Sequence, residues 1–96
     1  MAVAVEMEFR GMTVEQYDQI REKAGLTPGG ATPPGAIFHW VAETPDGLHI
    51  VDVWDSREAF DEYTRDYIGP YSAEVGFTDV PEMRFYDVHN YLGRGL

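Results

Sequence analysis

The sequence contains no cysteine and has only 7 lysines and arginines against 17 aspartates and glutamates. Without cysteine the chain can form neither a disulfide framework nor a thiolate nucleophile nor a zinc finger. Its net charge of −10 repels phosphate backbones and anionic lipid, so we expect no nucleic-acid partner and no membrane partner. No apolar run approaches the roughly 20 residues that a membrane-spanning helix needs. The N-terminal residues lack the basic start of a signal peptide, and we predict a cytoplasmic location.

What the sequence does contain is an apolar fraction of 44% and an aromatic fraction of 14%, enough for a packed core. Its 96 residues leave room for one domain, which we assign to residues 1–96. Strict alternation of apolar and polar residues from Val3 to Phe9 predicts a half-buried strand. Thr13 and Gln16 then have the spacing of a capping box, and Gly25 supplies the stop of the amphipathic helix between them.

A hairpin is the clearest signal in the middle of the chain. Residues 26–35 are too rich in proline and glycine for a helix or strand, and no lysine follows them as in a phosphate-binding loop. Residues 36–43 and 48–54 are β-prone runs that flank a Pro-Asp-Gly turn. Apolar residues fall on both faces of these strands. We therefore expect helices on one face of the sheet and a second subunit on the other.

A second helix follows, with Asp55 or Ser56 as its cap, and we expect Gly69 and Pro70 to interrupt it. Residues 83–91 predict a last strand. The order of elements predicts an α+β fold, the ferredoxin-like βαββαβ sandwich, with helices on one face of a mainly antiparallel four-stranded sheet. With the second subunit, this becomes a dimeric α/β barrel.

Two stretches of the sequence resemble a known family. Residues 51–60 (Val-Asp-Val-Trp-Asp-Ser-Arg-Glu-Ala-Phe) are similar to the strand of the antibiotic biosynthesis monooxygenase-like proteins that ends in tryptophan and enters a capped helix. Residues 86–90 (Tyr-Asp-Val-His-Asn) are similar to the last strand of many members. The resemblance implies a homodimer formed through the sheet face and a pocket for an aromatic or polyketide-like ligand between sheet and helices. It also implies oxygenation without metal or flavin, hence no cofactor.

His39 and Asp52 are the candidate catalytic residues. An imidazole on a strand can act as a general base near neutral pH. The alternative for His39 is a buried histidine hydrogen-bonded to the backbone or to a hydroxyl. Asp52 shares a strand face with Ile50 and Trp54, where desolvation raises the cost of its charge. The alternative for Asp52 is a structural pair with Arg84 or a backbone amide.

Trp54, Tyr63, Tyr67 and His89 are the candidate substrate-binding residues. Trp54 would form a pocket wall and orient a ligand oxygen with its N–H, or it is simply part of the core. Tyr63 and Tyr67 lie four apart and would point together at the sheet. In many members of the family the corresponding helix carries a histidine instead. We expect His89 on the last strand.

The histidines do not have the spacing of a metal site, and we predict none. Ser56 and Ser72 are better explained as a cap and a loop residue than as parts of a Ser-His-Asp triad. The resulting hypothesis is a cofactor-independent enzyme that tailors an aromatic or polyketide-like molecule. The alternatives are a non-catalytic ligand-binding dimer and a haem-binding member with an axial histidine.

Overall fold

The computed structural model describes residues 1–93. Its strands are β1 (Val3–Arg10), β2 (Ala36–Thr44), β3 (Gly47–Trp54) and β4 (Glu82–Asp87). Its helices are α1 (Val14–Lys23), α2 (Arg57–Tyr63) and α3 (Gly69–Glu74), and the π-helical turn Thr64–Ile68 joins the last two. The strands form one antiparallel sheet in the order β2-β3-β1-β4. This is the ferredoxin-like topology that the element order predicts, with α1 after β1 and α2 after β3.

Helix α1 begins where the capping box predicts. The Thr13 hydroxyl accepts a hydrogen bond from the Gln16 backbone N–H at 3.1 Å, and the Gln16 side chain accepts one from the Thr13 N–H at 3.0 Å. Gly25 follows the helix with a positive φ of 75°. Ser56 caps α2 because its hydroxyl accepts a hydrogen bond from the N–H of Ala59 at 3.1 Å. Local side-chain chemistry therefore fixes both helix starts.

The second helical segment differs from the prediction at Pro70. The backbone does not break at Gly69 and Pro70 but continues through the π-helical turn into α3. The N–H of Gly69 reaches the carbonyl of Thr64, five residues earlier. Because proline has no N–H and its ring crowds the preceding turn, a local widening of the helix accommodates it where a regular α-helix would not.

The core lies between the helices and the face of the sheet that we call the inner face. Val5 and Met7 of β1 and Leu48 and Ile50 of β3 are buried on this face. Helix and loop residues that pack on them include Ile20, Phe60 and Phe77. Within residues 1–93, no helix is long and apolar enough to cross a membrane. One sheet face is thus covered by the chain's own helices.

The last strand is shorter than residues 83–91. It ends at Asp87, which pairs with Val3 at the start of β1. The N–H of Val88 donates to the carbonyl of Ala2 at 2.9 Å, but Ala2 precedes β1, so the pairing of the two strands ends here. Alternation alone could not locate this end, because it depends on where β1 begins.

Candidate functional site

The hairpin brings His39 and Asp52 together. A loop of two residues, Pro45 and Asp46, places Thr44 opposite Gly47, and the same register places His39 directly opposite Asp52. Side chains at opposed positions of neighbouring strands are close enough to interact. The two-residue length of the hairpin loop therefore predicts that His39 and Asp52 stand opposite each other. This prediction is missed when each residue is considered alone.

Four side chains form a continuous hydrogen-bonded chain at this point. Nδ1 of His39 lies 2.5 Å from Oδ1 of Asp52, and Nε1–H of Trp54 donates to Oδ2 of Asp52 at 3.1 Å. The Tyr17 hydroxyl lies 2.6 Å from Nε2 of His39, and the planes of the two rings are nearly parallel, with 6.0 Å between the ring centroids. Asp52 and Trp54 are buried, whereas Tyr17 and His39 are partly accessible. The buried end of the chain is thus the Asp52–Trp54 pair, and the partly accessible end is the Tyr17 hydroxyl.

The direction of these hydrogen bonds follows from the groups that make them. A carboxylate only accepts hydrogen bonds, so Nδ1 of His39 carries a proton and donates a hydrogen bond to Asp52. Burial raises the pKa of Tyr17, and the nearby charge of Asp52 raises this pKa further. Tyr17 therefore stays protonated in the neutral range, and its O–H donates a hydrogen bond to Nε2 in the tautomer of His39 that carries its proton on Nδ1. In this tautomer Nε2 is the basic nitrogen of His39, and the Asp52 carboxylate orients the ring, as in catalytic triads.

The four hydrogen-bonded side chains lie beside a cavity of about 590 Å³ between the inner face of the sheet and the helices. This volume lies in the range of small-molecule sites. Its walls are mostly apolar side chains, among them Met7, Phe9, Met12, Ile20, Ile50, Phe60 and Phe77. Tyr17, His39, Asp52 and Trp54 all line it. An apolar cavity with one group of convergent polar side chains suits an uncharged aromatic ligand.

Two loops contribute to the lining of the cavity. Residues 26–33 and 77–81 both line it. The first loop is fixed at its start by Arg21, whose Nη1 donates to the carbonyl of Leu26 at 2.6 Å. It is fixed near its end by Thr32, whose hydroxyl donates to the carbonyl of Ala36 at 2.8 Å. The proline- and glycine-rich segment thus forms a wall of the site.

The two tyrosines of the predicted substrate-binding set are not equivalent. Tyr63 lines the cavity and packs on Trp54, with 5.6 Å between ring centroids. Burial, followed by the neighbouring Tyr71 and Tyr67, raises the pKa of Tyr63. Tyr67 packs against Tyr63 but is 49% exposed and lies outside the cavity lining. The spacing of four residues brings the rings together without bringing both to the site.

The structure does not bring His89 to the other candidates. It lies in an exposed bend beyond the end of β4 and does not line the cavity. Arg84, the partner considered for Asp52 in the structural alternative, stands opposite Glu6 on the other face of the sheet, which we call the outer face. The partners of Asp52 are instead His39 and Trp54, so the alternative that pairs it with Arg84 is wrong.

Tyr17 is the residue of the site that the sequence interpretation missed. Its position in the apolar stripe of α1 indicated a core residue, and its ring does pack against the core. The contact of its hydroxyl with His39 joins residues 22 positions apart. No spacing rule along the chain reports such a contact between a helix and a strand.

The remaining ionisable residues give no metal site in the part of the chain that the structure describes. Among residues 1–93, no three histidine or acidic side chains converge so that they could hold an ion. His49 lies on the outer face, where it contacts Glu8 and approaches Glu6 at 3.8 Å. Both ring nitrogens of His39 are engaged, so this histidine presents no free nitrogen to a haem iron.

Known proteins match this chain through their structures. No protein-family model matches the sequence, and no curated protein matches it. A conserved protein from Methanosarcina mazei Go1 has a TM-score of 0.61 at 15% identity, over 90% of this chain and 91% of that one. A putative antibiotic biosynthesis monooxygenase from Chloroflexus aurantiacus J-10-fl has a TM-score of 0.57 at 20% identity, over 97% and 100%.

A third solved structure is that of SnoaB, a cofactor-independent oxygenase from Streptomyces nogalater. It has a TM-score of 0.58 at 13% identity and covers 95% of each chain. Identities this low establish the fold and leave the activity open. The chain has the ferredoxin-like fold of the antibiotic biosynthesis monooxygenase-like proteins.

Proposed function

We propose that this protein is a small-molecule tailoring enzyme of the cofactor-independent monooxygenase type, acting on an aromatic or polyketide-like substrate. One observation carries the proposal. The pair formed by His39 and Asp52 lies in the wall of an otherwise apolar cavity large enough for such a molecule.

In this proposal the His39–Asp52 pair takes a proton from the bound substrate. Asp52 stabilises the imidazolium that forms, and the apolar walls strengthen that interaction because they exclude water. Removal of the proton leaves an electron-rich aromatic anion, which can pass electrons to dioxygen. Trp54 holds the second oxygen of Asp52, so the carboxylate keeps its orientation while the charge moves.

The test is aerobic incubation of the protein with an anthrone and with a quinol. We expect oxygen consumption together with formation of the quinone, and we expect His39→Ala and Asp52→Asn to lower the rate. Turnover that survives both substitutions unchanged contradicts the assignment of the pair. Saturable binding with no product over long incubation favours the alternative, a non-catalytic ligand-binding protein.

The proposal includes a homodimer formed through the outer face of the sheet. Phe38 is 46% exposed there, Trp40 is 41% exposed and Tyr86 is 51% exposed. Val51 and Val53 of β3 stand between them in the sheet. A contiguous apolar patch of this kind marks an interaction surface, and a second copy of the chain is the partner we propose for it.

Sedimentation at low micromolar concentration tests the dimer. We expect a mass about twice that of the 10.9 kDa chain. Trp40→Glu adds a charge within the proposed interface and should give a monomer, because a buried unpaired charge costs several kcal/mol. Val14→Glu places the same charge on an exposed residue of α1 and should leave the dimer intact. A monomeric unmodified protein contradicts the proposal.

The remaining parts of the proposal rest on composition. They are a cytoplasmic location and the absence of nucleic-acid and membrane partners. The charge of −10 favours the absence of those partners.

A further inference from the structure

The accessible nitrogen of His39 already has a partner. The Tyr17 hydroxyl lies 2.6 Å from Nε2. The two rings are almost parallel, with 5° between their planes, so the hydroxyl approaches the imidazole from its edge. A ligand in the cavity therefore cannot bond to Nε2 unless it displaces Tyr17.

The Tyr17 hydroxyl has bonding capacity left for a ligand. A phenol donates one hydrogen bond and has lone pairs that accept others. With the His39 proton on Nδ1 toward Asp52, Nε2 can only accept, so the Tyr17 O–H donates to it and the lone pairs of the Tyr17 oxygen stay available to a ligand. Tyr17 lines the cavity, where its neighbours Met12 and Ile20 are apolar. The oxygen of Tyr17 is thus the proton acceptor that this end of the cavity offers.

We propose that Tyr17 is the catalytic residue that exchanges a proton with the substrate and that His39 receives this proton only through it. This inference rests on the proposed function. In the step, the O–H bond of the substrate breaks and its proton binds the Tyr17 oxygen. The O–H bond of Tyr17 breaks at the same time, and that proton binds Nε2 of His39. The products are a substrate anion, a neutral Tyr17 and an imidazolium paired with Asp52.

This relay restricts the substrates that the site accepts. The group that gives the proton must be able to hydrogen-bond to a hydroxyl, so it is a neutral phenol or enol O–H. A carboxylate ligand arrives as an anion and has no proton to give, and the charge of Asp52 disfavours it. Arg21 also lines the cavity. Its guanidinium donates to the carbonyl of Leu26 and lies 3.6 Å from a carboxylate oxygen of Asp18.

The test uses phenols whose anions absorb visible light, 4-nitrophenol and the larger 4-nitro-1-naphthol. Each is titrated with pH in the presence of excess protein, and the absorbance of the anion gives the pKa of the bound phenol. We compare the unmodified protein with Tyr17→Phe, which keeps the ring and removes the hydroxyl. Tyr71→Phe removes a hydroxyl outside the cavity lining and serves as the matched control. Thermal unfolding of each variant confirms that it is folded.

In the unmodified protein and in Tyr71→Phe, we expect the pKa of the bound phenol to fall by about one unit or more, as an opposite charge and hydrogen bonds to an anion produce. In Tyr17→Phe we expect this shift to disappear while the neutral phenol still binds. A shift that persists in Tyr17→Phe shows that the bound phenol ionises without the Tyr17 hydroxyl, which overturns the relay and leaves the proposed function in place. If no phenol binds or ionises in the unmodified protein, the proposed function is contradicted and the relay with it.

Discussion

Asp52→Asn lowers the rate of substrate oxidation by about 10²–10⁴-fold, the usual contribution of a positioned acid–base group. Oδ1 of Asp52 accepts a hydrogen bond from Nδ1 of His39, and Oδ2 accepts one from Nε1–H of Trp54. An amide offers one oxygen, so one of the two donors must face an NH₂ group. If that donor is Trp54, the buried indole N–H loses its partner. If it is His39, the amide donates to Nδ1, the proton moves to Nε2, and the imidazole is no longer a base toward Tyr17.

The rate of oxygen consumption under saturating quinol measures this effect. Asp87→Asn is the matched control, because Asp87 is an exposed carboxylate at the end of β4 and does not line the cavity. We expect Asp87→Asn to keep the rate of the unmodified protein. Equal rates for Asp52→Asn and the unmodified protein would remove the carboxylate from the mechanism.

Gly47→Ala destabilises the fold by about 3–5 kcal/mol, in the range of the largest single-site effects. Gly47 begins β3 with a φ of 153°. A Cβ atom at this position would lie 2.1 Å from the carbonyl oxygen of Phe9 and 2.8 Å from the backbone nitrogen of Gly11. Phe9 belongs to β1 and Gly11 directly follows it, so neither backbone atom can move without disturbing the pairing of β1 with β3. The same pairing sets the register that places His39 opposite Asp52.

Equilibrium unfolding in urea at fixed protein concentration measures the loss. Gly76→Ala is the control, because Gly76 has a positive φ of 87° and a Cβ there would have no heavy atom within 4 Å. It isolates the conformational cost of a left-handed alanine, about 1–2 kcal/mol. Similar losses for the two variants would show that the approach of Phe9 to Gly47 is not a constraint.

Much of the fold was predictable because its signals are local. The capping box at Thr13 and Gln16 depends on two residues three positions apart, and the hairpin depends on a short turn between two β-prone runs. The order of elements then leaves few topologies open. The continuous helix through Pro70 was not predictable, because proline ordinarily ends a helix and the π-helical turn that admits it has no comparable sequence signal.

The site was predictable only in part. His39, Asp52 and Trp54 lie on neighbouring strands, and alternation indicates that each shares a face with apolar residues. Tyr17 approaches them from α1, and its distance to His39 depends on how the whole helix packs on the sheet. His89 shows the opposite error. Its position depends on where β4 ends, and that end is set by the pairing partner β1 rather than by residues 86–90.

The central claim is that a proton leaves the bound substrate and arrives on His39. Nitrogen-15 NMR of the imidazole rings observes this directly. The chain has 3 histidines, so His39→Gln identifies the signal of His39. At a pH where His39 is neutral in the free protein, we expect a proton on Nδ1 and none on Nε2. On saturation with 4-nitrophenol, we expect both nitrogens to become protonated. A His39 that stays neutral when the phenol is bound and ionised contradicts the claim.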